Sequence, residues 1–119
     1  MRQMPPGYSD LETVKMGPRE WIVRKFWQTP YGMIPAGFKT DGASSPRLAW
    51  SIVDPGSEFF EASIIHDFLY RFGIGTRAQA DAIWREAAIA FGANPRRAAL
   101  GYYALRLGGV NFGWNKAQP

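Results

Sequence analysis

SEFFEASIIHDFLYRFG, residues 57–73, is the stretch whose reading decides the fold. Before it, apolar residues alternate as they do along a strand. Within it they recur three and four apart, as they do along a helix. Pro55-Gly56 breaks the chain ahead of it, Ser57 is a capping residue type, and Gly73 and Gly75 are stop signals. A helix from Ser57 to about Phe72 is therefore predicted. On a wheel of about 100° per residue, Phe60, Ala62, Ile64, Ile65, Phe68 and Leu69 cover more than half the circumference. The remaining arc holds Ser63, His66, Asp67 and Tyr70, with Phe59 beside them, while Glu58, Glu61 and Arg71 fall elsewhere. A solvated face carries Lys, Glu, Gln or Arg; this arc carries short groups suited to holding protons and cations. The expectation is a largely buried helix with one polar strip that must find partners.

Downstream, Thr76-Arg77-Ala78-Gln79 has the pattern of a capping box and opens a second helix to about Phe91, where Gly92 stops it. Asn94-Pro95 is a cap followed by a first-turn proline, and it opens a third helix from Pro95 to about Leu107, ended by Gly108-Gly109. Ala98, Tyr102 and Leu105 give that helix a buried stripe, and Arg96, Arg97 and Arg106 read as a solvated or partner-facing edge. Trp50, Trp84 and Trp114 read as core residues.

Upstream, Trp21, Val23 and Lys25 alternate with Ile22, Arg24 and Phe26, so residues 20–28 read as one strand. Thr29-Pro30-Tyr31-Gly32 is a turn signal, residues 33–39 read as the pairing strand, and Leu11 to Met16 as a third. Prolines 30 and 35 imply edge positions. TDGASSP, residues 40–46, carries neither period and bridges the halves. The expected fold is α+β: a small N-terminal antiparallel β-sheet followed by a three-helix C-terminal half. It forms one domain over 1–119, with 1–40 β-rich, 41–56 a turn-rich connection, 57–107 helical and 108–119 a tail.

At 119 residues, 46% apolar and 15% aromatic, the chain can bury a core and has no disordered character. It has no cysteine and one histidine, which excludes disulfides and thiolate metal sites. A metal would take oxygen ligands plus at most one imidazole, favouring calcium or magnesium over zinc. No apolar run approaches the roughly 20 residues of a membrane span, and MRQMPPGYSD lacks a signal-peptide core. Synthesis in the cytosol is expected. The net charge of +4 suits anionic lipid, nucleic acid or an acidic protein. The basic residues are scattered apart from Arg96-Arg97, which argues against nucleic acid.

The chemistry centres on His66, the one side chain with an ordinary proton affinity near neutrality. Tyr70 lies one turn on, and Asp67 points about 100° away, where it could hold a hard cation. Asp41, with the carbonyls of its turn, is a second metal-ligand candidate. Asp81, at the edge of the second helix's apolar stripe, could face His66 and fix its tautomer. Each residue also has a plain structural reading. A lone histidine on a packed helix is commonly a satisfied core residue, and Asp67 could pair with an arginine. Asp41 before Gly42 suits a turn, and Asp81, with Arg77 and Arg85 four residues to either side, suits the first part of a helix. Both readings stand.

IPAGFKTDGASSPRLAW, ASIIHDFLYRFG and TRAQADAIWREAAIAFG, in that order, resemble a small family of proteins of unknown function common in phages and prophages. The resemblance covers about residues 33–107. It implies an origin in a tailed bacteriophage, with a place in the virion, commonly the tail, or in the host cytoplasm before assembly. Other virion proteins would then be partners. The HD-x-x-Y run with an aspartate on the next helix is similar to secreted calcium-dependent phospholipases. That likeness implies that His66 activates water, Asp67 binds calcium, Tyr70 and Asp81 support His66, and Asp41-Gly42 replaces the calcium loop. The chain departs from those enzymes in having no cysteine, a loop reduced to DGASSP and a short distance from His66 to Asp81. Two functions are expected from these features, the first as the leading reading and the second as its alternative. One is a virion or tail-associated component acting through protein contacts. The other is a metal-assisted hydrolase of phospholipid or cell-envelope material.

Overall fold

The computed structural model describes residues 4–17, 20–40 and 59–108. The chain divides into two compact units, Met1–Asp41 and Gly42–Pro119. The described part of the first is β-structure and that of the second is helical, so the fold is α+β as expected.

In the first unit, strands β1 (Thr13–Gly17), β2 (Glu20–Val23) and β5 (Lys39–Thr40) form an antiparallel sheet in the order β1-β2-β5. Strands β3 (Trp27–Thr29) and β4 (Gly32–Ile34) form a separate two-stranded hairpin. The single strand expected over 20–28 is thus two strands with different partners. The physical reason is Lys25. Trp21, Val23, Trp27 and Thr29 are buried in one period-two phase, and Lys25 holds the inward position between them. A lysine there stays in water: it is exposed and pairs with Glu12 at 3.1 Å, and residues 24–26 belong to neither strand. The expected turn closes the hairpin. Thr29 Oγ1 donates to the Gly32 carbonyl at 2.7 Å and accepts from the Tyr31 amide at 3.1 Å. Trp27 Nε1 donates to the Ser9 carbonyl at 2.9 Å, tying the N-terminal segment to the hairpin.

The second unit contains α1 (Phe60–Arg71), α2 (Arg77–Ala90) and α3 (Pro95–Gly108). Phe59 is the residue ahead of α1 and makes no side-chain cap. Both ends of the α1–α2 connection are set by local chemistry. Gly73, at φ +61°, lets the Ile74 amide reach the Leu69 carbonyl at 3.0 Å and its own amide reach Tyr70 at 3.2 Å. Thr76 and Gln79 then form the expected reciprocal cap of α2. Asn94 Oδ1 accepts from the Arg96 amide at 2.8 Å and caps α3. Ser57, the bridge from residue 41 onward, Trp50, Trp114 and both chain ends lie outside the described residues. Among the described residues no helix is long and apolar enough to cross a membrane.

Trp84 is the apolar centre of this unit. It stacks on Phe59 at 5.2 Å with planes 7° apart, and its Nε1 donates to Ser63 Oγ at 3.4 Å. α3 approaches it through Gly101, where an added Cβ would meet the indole, with Cζ3 at 2.7 Å. Gly101→Ala would gain about 1 kcal/mol of helix propensity. It would lose about 2–3 kcal/mol, the upper part of the overpacking range, against a fully buried ring. The clash should dominate, and urea unfolding is expected to show net destabilisation of about 1–2 kcal/mol. A variant as stable as the parent would refute this account of the α2–α3 approach.

Candidate active site

α1 is buried from Phe60 to Leu69, so its polar groups cannot rely on water. The short, doubly capped connection sets α2 beside it, and Asp81 meets the expected partner. His66 Nε2 lies 2.7 Å from Asp81 Oδ1, with both side chains buried. Asp81 Oδ2 accepts from Arg106 Nη1 at 3.0 Å, and Arg77 Nη1 stands 3.6 Å away. Arg77 also donates to the Arg106 carbonyl at 3.2 Å, so α2 and α3 are joined twice around this carboxylate.

These contacts determine the tautomer. A carboxylate set between two guanidinium groups is an acceptor only, so the hydrogen in the 2.7 Å contact belongs to His66 Nε2. The neutral ring then carries its lone pair on Nδ1, an atom shut off from solvent. An imidazole held in one tautomer by a charged carboxylate is the arrangement a general base requires. It is equally a strong helix-to-helix lock.

The other sequence candidates have different surroundings. Asp67 is buried, and its Oδ1 is 3.2 Å from Arg71 Nε, one turn later. The wheel had set Arg71 away from the polar strip. The i,i+4 reach of a long side chain brings it back. Glu61, also set outside the strip, is buried too, because α1 is covered on nearly every side. Tyr70 is half-buried one turn beyond His66. Asp41 lies outside the described residues. Among the described residues, no three His, Asp or Glu side chains come together to hold a metal ion.

Sequence reasoning missed the role of Arg106, expected at a solvated or partner-facing edge. It is drawn inward by the buried charge of Asp81. The signal was present in the spacing: Ala98, Tyr102 and Arg106 are four apart on one helix face. Arg97, also assigned to that edge, lies over the Phe59 ring at 5.4 Å, and Arg85 over Tyr102 at 5.7 Å.

Removing the shared carboxylate should be costly, because two cations and an imidazole lose their common partner. Asp81→Ala is expected to destabilise the protein by about 3–5 kcal/mol, and Arg106→Met, which removes a partly exposed partner, by about 1 kcal/mol. Nitrogen-15 spectra of the single imidazole should show the Nε2–H tautomer. A dominant Nδ1–H form would overturn the assignment.

No curated protein and no solved structure matches the chain. A family model does match residues 20–105, from β2 into α3, a span that includes His66, Asp67, Tyr70 and Asp81. With most of its length matched, the chain belongs to the family described as Protein of unknown function (DUF1353).

Proposed function

We propose that this chain is a hydrolase of phospholipid or cell-envelope material in which His66 is the general base. The observation that carries the reading is the 2.7 Å bond from His66 Nε2 to a carboxylate itself held by Arg106. In this reading Nδ1 takes a proton from water as the oxygen attacks an ester carbonyl. The imidazolium so formed is stabilised by Asp81, and it returns the proton to the departing alcohol. Arg106 and Arg77 hold the Asp81 carboxylate in place behind the imidazole. Tyr70, one turn along α1, is assigned a positioning role beside His66. Burial keeps bulk water from the base but also means that substrate reaches Nδ1 only when its cover opens.

Asp67 is the carboxylate next to the base and the first candidate ligand for calcium, with Asp41 as the second. Calcium, when bound, would supply positive charge for the carbonyl oxygen. Arg71 holds Asp67 Oδ1 through a side chain that is 38% exposed, so a cation would compete with that guanidinium for the carboxylate. The placement proposed for the activity is a tailed-phage particle, supported by the resemblance of the three sequence blocks.

Fatty-acid release from phospholipid vesicles tests the reading. His66→Gln should lower turnover by about 10²–10⁴-fold in a protein that remains folded. Asp67→Asn should abolish cation dependence, and Arg71→Gln should lower the calcium needed for half-maximal rate. If the wild-type chain turns over neither phospholipid nor envelope polymer, the dyad is a structural lock. A phage component acting through protein contacts then becomes the better reading.

A further inference from the structure

Helix α3 has two unlike faces. Ala98 and Leu105 are buried, whereas Leu100, Tyr103 and Leu107 are 72%, 58% and 80% exposed. At about 100° per residue these three side chains fall within an arc of roughly 60°, with Arg96 in its middle. The strip has the 3,4 spacing of a helix seam, yet it is left in water. Phe72 and Ile74, 57% and 41% exposed, lie in the turn leading to Arg77. The hydrogen bond from Arg77 to the Arg106 carbonyl brings that turn to the same end of the unit as Leu107.

The charges around the strip are sorted by burial. α3 contains three arginines and no acidic residue. Among the described residues of the helical unit, Glu61, Asp67 and Asp81 are buried, and Glu86 is the one exposed acid. Arg71, Arg96 and Arg97 are exposed. Negative charge is therefore consumed inside and positive charge is presented outside. A second copy docked strip to strip would set Arg96 of one α3 against Arg96 of the other, and α3 has no acid to offset them. An anionic lipid layer has the opposite chemistry: phosphates for the arginines, acyl chains for the leucines and a headgroup boundary for the tyrosine.

We propose that α3 docks on an anionic phospholipid surface, lying along it with Leu100, Tyr103 and Leu107 inserted and Arg96 on the phosphates. This docking gives the hydrolase reading its lipid surface. It does not rest on His66 being a base.

Co-sedimentation of the full chain with phosphatidylglycerol-containing vesicles tests it, with phosphatidylcholine vesicles as the control. Binding is expected to the anionic vesicles only, and to weaken as salt is raised. Leu100→Ser combined with Leu107→Ser should weaken binding by about tenfold or more. Both side chains are exposed, so circular dichroism and the unfolding transition should not change. Arg96→Glu should weaken binding with the apolar strip intact. His66→Gln should bind like the parent, which separates failure of docking from failure of catalysis. The proposal is overturned by absence of binding to anionic vesicles, by equal binding to neutral ones, or by binding that survives both sets of substitutions. It is also overturned if the parent sediments as a dimer that the double serine variant converts to monomer.

Discussion

The carboxylate of Asp81 ties three helices together. Its partners are His66 from α1, Arg77 from its own helix and Arg106 from α3. A lone buried charge is expensive, and the neutralising groups must come from whatever packs beside it. Because they come from different helices, the contacts that neutralise the carboxylate also set the relative positions of those helices. Trp84 does the same with apolar surface, stacking on Phe59, bonding Ser63 and receiving α3 at Gly101. The imidazole is thus oriented by the interactions that organise the helical unit. A substitution at the dyad will register in stability as well as in any chemistry, so activity losses must be read beside unfolding curves.

Among its described residues, the helical unit draws most of its acids inward and leaves Arg71, Arg96 and Arg97 outside. Asp81 needs cations, Asp67 takes Arg71, and three of the unit's four described acids are buried. The same sorting that builds the interior creates a cationic exterior around an apolar strip. The inner dyad is carried by α1 and α2 and the outer strip by α3, so the two can be altered independently.

Much of the local structure was legible in the residues. The α1–α2 boundary was marked by Gly73 and the Thr76–Gln79 pair, because capping is decided within a few residues. The pairing of His66 with Asp81 was also legible, since a short connection between two amphipathic helices leaves few partners for a buried imidazole. The break in the strand at Lys25 was less visible. The period-two pattern continues through it, and only the cost of burying an ammonium separates β2 from β3. Arg106 was misassigned for a related reason. Arginine is exposed by default, and the default fails where a buried carboxylate lies within reach.

The sequence by itself determined the α+β class, the helix limits set by local caps, and the candidate chemistry of one histidine among aspartates. These follow from periodicity and residue type, which act over a few positions along the chain. The tertiary structure decided which cations neutralise which acids and which sheet takes each strand. It also decided that Leu100, Tyr103 and Leu107 remain in water. Those outcomes depend on distances between residues far apart in the chain, such as Asp81 and Arg106, and burial converts such proximity into large energies that no local pattern encodes.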